Sequence, residues 1–356
     1  MQRMLGLVLM SLLLGGCKLD HDAYTSSPQY RDGTFHTVTP RPGDRNTMDL
    51  LWFLFVEPRG AWPEWIENTT QPQLKSDKGT QVVSFINHAT YLVEIDDKRY
   101  VFDPIFSHTA GPTSWLGSKR KRDPAMSLAS MPHIDYVFIS HNHYDHLDLP
   151  TLAFLVERDN PLIFVPLGDK SWLEAEGFPR VVELDWWQSY SIDNCFTVHF
   201  VPAQHSSART PFDRDHSLWG GYVIEHPDLT VFHAGDTGYA GHFAEIGKRF
   251  RIDVALLPIG DYEPDWFLSY VHMNPQQALQ AHIDLGSKQS FAMHSETFPL
   301  STLGYLDAEK AFQRAWQQGS WQYPFTILPV GSCRIFPASG ACHHSVTHEV
   351  RSHHAS

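Results

Sequence analysis

The chain has 356 residues, with 27 basic against 40 acidic side chains and a formal charge of −13. That sign excludes a nucleic-acid binder working by phosphate neutralisation, and equally a protein held to anionic lipid by surface charge alone. The length is enough for one large α/β domain or two smaller ones, and 22 histidines are far more than ordinary packing requires.

In chain order, the first segment is "MQRMLGLVLMSLLLGGC", with Arg3, an apolar run from Leu5 to Leu14, two glycines and Cys17. The run is too short to span a bilayer comfortably and reads as an export signal. Its ending, Leu14-Gly15-Gly16-Cys17, resembles a bacterial lipoprotein lipobox, in which the cysteine is lipidated and becomes the first residue of the mature chain. Lys18 rather than Asp comes next, so the resemblance implies the outer membrane, on the periplasmic side. The polar stretch behind Cys17 would act as a tether. The chain then divides into a signal at 1–16, a lipid-anchored tether at 17–45, a folded domain at 46–334 and a His-rich tail at 335–356.

Met48 to Glu64 is apolar and aromatic, open to two readings, a helix or a lip over a site. From Gln81 the segments become short, apolar and closed by turns. "VVSFI", "TYLVEI" and "RYVF" read as an antiparallel meander. "IDYVFI", "LIFVPL", "CFTVHFV", "GGYVIEH", "LTVFHA", "IDVALLPI", "SFAMH" and "FTILPV" follow as further strands, with helical patterns between several of them. "LDLPTLAFLVERD" is one such helix. "NPQQALQAHIDLG" is another, with Asn274 as N-cap, Pro275 at its first position, Gln277 three residues after the cap and Gly286 as stop. "LDAEKAFQRAWQQG" sets Ala308, Phe312, Ala315 and Trp316 on one stripe before Gly319. A meander followed by alternating strands and helices implies α/β sheets with helices against them. Of the cysteines outside the lipobox, Cys333 and Cys342 could pair in an oxidising compartment, leaving Cys195 buried. The tail carries His343, His344, His348, His353 and His354 without apolar periodicity, so it is expected to be unstructured and to have no catalytic part.

The chemistry is concentrated in "SHNHYDHLDLP", Ser140 to Pro150. His141 and His143, two apart after a strand, point to one side of an extended backbone. Asp145 and His146 come from the turn behind them. Imidazoles with a carboxylate are suitable zinc ligands, but four cannot complete two sites. His205, Asp236 and His294 each follow an apolar run. Singly, such a residue is usually a satisfied core side chain. Together they gain weight, because each stands at the carboxyl end of a strand, where active-site loops of α/β proteins gather. Five imidazoles and two carboxylates are a sensible inventory for two metals with open positions for water.

The run His141-x-His143-x-Asp145-His146 resembles the signature of the metallo-β-lactamase superfamily, which implies a four-layer αββα sandwich. Within it, "NHATYLVEI", "FDPIFS", "ISHNHYDHLD", "ELDWWQ", "AGDTGY" and "PIGDYEPDWF" resemble N-acylphosphatidylethanolamine-hydrolysing phospholipases D. Carried over residue by residue, the resemblance implies His141, His143 and His205 as ligands of one zinc ion and Asp145, His146 and His294 as ligands of a second. Asp236 would bridge them, and Asp236 and Asp145 are the carboxylates expected to serve catalysis. Asp103 resembles the acid behind the metals, a turn-forming Asp being the plain alternative. Trp186 and Trp187 could line an acyl channel or belong to the core, and Arg209 could position a substrate phosphate. Lys119 to Arg122 is the one basic run, either a solvated face or a lipid-phosphate contact. Two departures, Asp261 and Glu296, are expected to make the pocket mouth more acidic.

The resulting expectation is a dizinc phosphodiesterase, lipid-anchored beside a membrane phospholipid substrate, that yields phosphatidate and an N-acylethanolamine. A dizinc hydrolase of another ester, amide or lactone is the competing enzymatic reading, and a zinc-binding envelope lipoprotein the non-enzymatic one.

Overall fold

The computed structural model describes residues 24–40, 47–70, 80–338 and 349–351. The export signal, Cys17 and most of the histidine tail lie outside them, and no described helix is long and apolar enough to cross a membrane.

Part of the stretch expected to be a free tether is folded. Tyr24 leads into a small hairpin, β1 (Tyr30–Arg31) and β2 (Thr34–Phe35). Tyr24, Tyr30 and Phe35 pack ring against ring and join the main core, because three aromatic rings bury more apolar surface than a short polar segment loses in freedom. Met48–Glu64 begins as a helix, α1 (Thr47–Phe55), most of whose apolar side chains remain exposed.

The expected meander forms as β3 (Thr80–Asn87), β4 (Thr90–Ile95) and β5 (Lys98–Phe102), followed by a small hairpin, β6 (Thr109–Ala110) and β7 (Ser118–Lys119). Then come β8 (Tyr136–Phe138), α2 (Leu149–Asp159), β9 (Leu162–Pro166), α3 (Lys170–Ala175) and β10 (Val181–Leu184). The next strands are β11 (Ser189–Ser191), β12 (Thr197–Val201), β13 (Gly221–Glu225) and β14 (Val231–His233). The chain continues through α4 (His242–Arg249), β15 (Val254–Pro258), α5 (Asp265–Leu268), α6 (Pro275–Leu285), β16 (Gln289–Met293), α7 (Asp307–Gln318) and β17 (Phe325–Thr326). It closes with β18 (Cys333–Pro337) and β19 (Glu349–Arg351).

Two mixed sheets result, in the orders β10-β9-β8-β5-β4-β3-β18 and β17-β16-β15-β14-β13-β12-β11-β19. Each is antiparallel in one half and parallel in the other, from β5 to β10 and from β14 to β17. Their central strands read as continuous apolar runs because both faces are covered. Phe102 and Phe138, neighbours in the first sheet, meet His233 and Tyr222 of the second. The Tyr222 hydroxyl donates to Ile139 O at 3.0 Å and the Tyr91 hydroxyl to Ala292 O at 2.8 Å, joining the sheets through their shared core. α4, α6 and α7 pack in succession over the second sheet, and α2 and α3 cover the first. The architecture is the four-layer αββα arrangement.

Local chemistry explains the two best-read helices. Asn274 Oδ1 accepts from Gln277 N at 2.9 Å and the Gln277 side chain accepts from Asn274 N at 3.0 Å, while Gly286 ends the helix at φ 60°. On α7, Ala308, Phe312 and Ala315 are buried as the stripe requires, and Trp316 stacks on Trp321. Three expectations need correction. Cys195, at the turn between β11 and β12, is disulfide-bonded and Cys333 is free, so the expected Cys333–Cys342 pairing does not form. Cys333 instead opens β18, in register with Ser84 of β3. That strand carries the domain through Pro337. Glu349–Arg351, inside the supposedly unstructured tail, add an edge strand against β11, whose backbone groups would otherwise lack a partner.

Candidate active site

The parallel halves of both sheets deliver their carboxyl ends to one place. β8 runs out at Phe138, and Ser140 to Leu147 turn back tightly, with Leu147 N donating to His143 O at 2.8 Å. Across from it, Gly235 at φ 60° lets β14 turn into Asp236. A side chain there would meet the Ser140 Cβ at 2.5 Å. His205 follows β12, and His294, at φ 58°, follows β16.

All seven sequence-predicted ligands come together. His141 Nε2 lies 2.8 Å from His143 Nδ1, which lies 3.2 Å from His205 Nε2. Beside this trio, His294 Nε2 is 3.2 Å from both Asp145 Oδ2 and His146 Nε2. Asp236 Oδ2 reaches both groups, at 3.9 Å from His141, 3.7 Å from His205, 3.2 Å from His146 and 3.0 Å from His294. Ring nitrogens converging in this way cannot all satisfy one another as donor and acceptor. Asp236 Oδ1 is buried without a hydrogen-bond partner among the described residues. A metal cation held among these atoms would satisfy them, since bonds of about 2.0–2.2 Å to N and O ligands set ligand atoms roughly 3.3 Å apart.

The outer faces of the imidazoles are held too. His146 Nδ1 meets Asp103 Oδ2 at 2.7 Å, His205 Nδ1 meets Val271 O at 3.0 Å and His141 Nδ1 meets Ser140 Oγ at 2.9 Å. Each arrangement leaves Nε2 facing the centre. Asp103 also accepts from Ser140 N and Ser140 Oγ, both at 2.7 Å, so it is more than a turn residue.

Electrostatics divides the cluster. Burial, reinforced by neighbouring imidazoles, holds His141 and His205 well below the usual histidine range, and burial pushes His143 down to about 4. These three are therefore neutral, the form in which an imidazole lone pair can coordinate a metal. Burial also opposes charge on His146 and His294, but Asp236 and Asp145 outweigh it and hold both imidazoles raised. The same pairing overrides burial at Asp145 and Asp236 and keeps both carboxylates well below their usual range.

Two histidines of the centre were missed. His88, in the turn between β3 and β4, places Nε2 3.0 Å from Asp145 Oδ2 and its ring 4.1 Å from that of His294. His272 lies 3.9 Å from Asp236 Oδ2. No spacing ties either to the clustered motif. The only local signal for His88 is its place in a tight turn, where it takes φ 47°.

Other expectations move away from the centre. Trp186 is buried and donates to Trp219 O at 2.6 Å, and Trp187 lies under Arg249, 3.9 Å from guanidinium carbon to ring centroid. Both are packing residues. Arg209 turns its guanidinium toward the motif, donating from Nη1 to Asn142 O at 2.8 Å and Leu147 O at 2.9 Å, with the Tyr144 ring beneath. It clamps the ligand loop instead of facing a substrate phosphate. The basic run alternates, as a strand-like segment must. Lys119 faces outward, whereas Arg120 and Arg122 are buried, Arg120 on Ile105 O and Arg122 beside Glu296 at 3.5 Å. Glu296 is thus engaged, and Asp261 is buried beside His294 at 3.1 Å, so neither simply acidifies an open mouth.

The model of the β-lactamase superfamily domain matches residues 98–295. The chain belongs to that superfamily. An uncharacterised protein of Mycobacterium tuberculosis is 37% identical over 286 residues, 77% of this chain and 76% of its own. An N-acyl-phosphatidylethanolamine-hydrolyzing phospholipase D of Caenorhabditis elegans is 35% identical over 252 residues, 67% of this chain and 70% of that protein. A metallo hydrolase from the archaeon Ignicoccus hospitalis has a similar fold, with TM-score 0.56 at 23% identity over 72% of this chain and 98% of that one. As a β-lactamase superfamily member with this His/Asp cluster, the chain is a metal-dependent hydrolase.

Proposed function

We propose that the protein is a dizinc phosphodiesterase of phospholipase D type, which hydrolyses N-acylphosphatidylethanolamine-like phospholipids to phosphatidate and N-acylethanolamine. The observation that carries this reading is Asp236, whose Oδ2 lies 3.0–3.9 Å from ring nitrogens of both ligand groups. One group, His141, His143 and His205, would hold one zinc ion. Asp145, His146 and His294 would hold the other. Bound there, the ions would supply an activated water and positive charge for the phosphoryl oxygens.

The remaining work falls to this chain's own atoms. Water oxygen bonds to phosphorus, the bond from phosphorus to the N-acylethanolamine oxygen breaks, and one proton of the water ends on that leaving oxygen. Asp236 Oδ1, buried and without a hydrogen-bond partner among the described residues, would orient the water and accept the proton. Burial lowers the His272 pKa and keeps its imidazole neutral, with Nδ1 3.9 Å from Asp236 Oδ2, at the edge of the centre. Asp103, behind His146, keeps the ligand geometry fixed while charge moves.

A membrane substrate is supported by α1. Met48, Leu50, Leu51, Trp52, Leu54 and Phe55 are exposed, while Phe53 turns inward and stacks on Phe267 at 4.7 Å. From there His272 N donates to Leu268 O at 3.0 Å, so the apolar helix connects to the rim of the centre. An outer-membrane anchor at Cys17, facing the periplasm, would keep that surface at its lipid. Incubation with N-acylphosphatidylethanolamine and mass identification of products tests the reading. Phosphatidate with N-acylethanolamine is expected; release of fatty acid or lysophospholipid without phosphatidate overturns it.

A further inference from the structure

Asp261 follows β15 and is buried, 8% exposed. Its Oδ2 lies 3.1 Å from His294 Nδ1, the ring nitrogen turned away from the centre. The contact falls short of the alignment of a full hydrogen bond, and that nitrogen has no other hydrogen-bond partner among the described residues. The two segments are built against each other. Ile259 N donates to Met293 O at 3.1 Å, and a side chain at Gly260 would meet His294 O at 2.0 Å. Asp261 and His294 both hold φ 58°, a conformation a non-glycine residue takes only where its surroundings enforce it.

The second ligand group is therefore backed differently from the first. His146 has Asp103 behind it at 2.7 Å and His294 has Asp261 at 3.1 Å. The outer nitrogens of His141 and His205 meet a hydroxyl and a carbonyl, both uncharged. A carboxylate on the outer nitrogen fixes a proton there, turns the lone pair of Nε2 inward and makes the ring a more basic ligand. Glu296, the nearest other acid along the chain, is engaged with Arg122 instead.

We propose that Asp261 is a positioning residue that orients His294 and makes the Asp145–His146–His294 group the tighter-binding of two metal positions. The inference rests on the two-metal reading above. It assigns to Asp261 a role in selective metal retention, so that limiting metal leaves the first position empty before the second.

The test uses the full chain, depleted of metal and titrated with Zn2+ against a chromophoric chelator. Asp261→Gly removes the carboxylate without adding strain at φ 58°. Asp261→Asn tolerates the same backbone and keeps an acceptor oxygen without the charge. The wild type is expected to bind two ions in distinguishable steps. Asp261→Gly should weaken the tighter step by about 10–100-fold and leave the other in place, with Asp261→Asn between them. A purely structural role would lower the metal-free melting temperature of Asp261→Asn and leave the ratio of the two affinities untouched, which overturns the assignment. Equal weakening of both steps overturns it as well. A wild-type chain that binds only one ion removes the two-metal reading itself, and Asp261's role with it, so the two failures are told apart by the wild-type stoichiometry.

Discussion

Asp103 gathers more of the centre than its place behind the ligands suggests. Its two oxygens accept from Ser140 N, Ser140 Oγ and His146 Nδ1, all at 2.7 Å, so one carboxylate fixes both the start of the motif and its last ligand. An amide cannot accept from all three, because one of its ends becomes a donor facing donors. Asp103→Asn should therefore weaken retention of metal by about 10–100-fold, with a parallel loss of hydrolysis. Metal content after dialysis against a mild chelator checks it, and full retention would return Asp103 to a turn residue. Arg209 gives a second case. Its Nη1 serves two carbonyls on either side of the motif, at 2.8 and 2.9 Å, over the Tyr144 ring. Lysine offers neither the planar fork nor the stacking, so Arg209→Lys should cost about 1–3 kcal/mol in urea unfolding. An unchanged midpoint with a raised KM would instead restore the substrate-phosphate role expected from the sequence.

At the scale of elements, α1 stands out among the described residues for its exposed apolar side chains. Phe53 turns inward onto Phe267, while Leu51, Trp52 and Phe55 are 41%, 55% and 79% exposed. An ordinary surface helix shows an apolar stripe inward and polar residues outward. This one presents apolar side chains outward, as an interfacial helix does, and Trp52 keeps its indole N–H on Glu57 at 3.2 Å. Burying a large apolar side chain is worth about 1.5–3 kcal/mol, so replacing Leu51, Trp52 and Phe55 together by serine should lower the rate on phospholipid vesicles at least ~10-fold. With Cys17→Ser as background to remove any anchor, hydrolysis of a short soluble phosphodiester should not change. Equal loss on both substrates would mean that the helix supports the site instead of a membrane.

At the scale of the molecule, the strands buried on both faces and the clustered motif were legible because each announces itself within ten residues. The three distant residues that join the cluster were legible as well, since each ends an apolar run. His88 and His272 were not, because only the apposition of separate chain segments brings them to the carboxylates, and no local pattern encodes it. β18 escaped for the same reason: "CRIFP" becomes a strand by pairing with β3, far back in the chain. Arg120 and Arg122 turn inward only once Ile105 O and Glu296 are there to receive them. The contact between the two sheets is thus the information the sequence hides, and two tyrosines measure it. Tyr222, fully buried on β13, donates to Ile139 O, two residues before His141. Tyr222→Phe leaves that buried carbonyl without this donor, which costs about 1–3 kcal/mol. Tyr100, equally buried on β5, has a hydroxyl with no hydrogen-bond partner among the described residues. Tyr100→Phe removes an unsatisfied polar group and keeps the ring stacked 5.2 Å from Tyr136, so it should leave stability unchanged or raise it. Thermal melts of the two variants should move apart, with Tyr222→Phe below the wild type. If both fall equally, the loss belongs to the rings and not to the bond that joins the sheets beneath the metal motif.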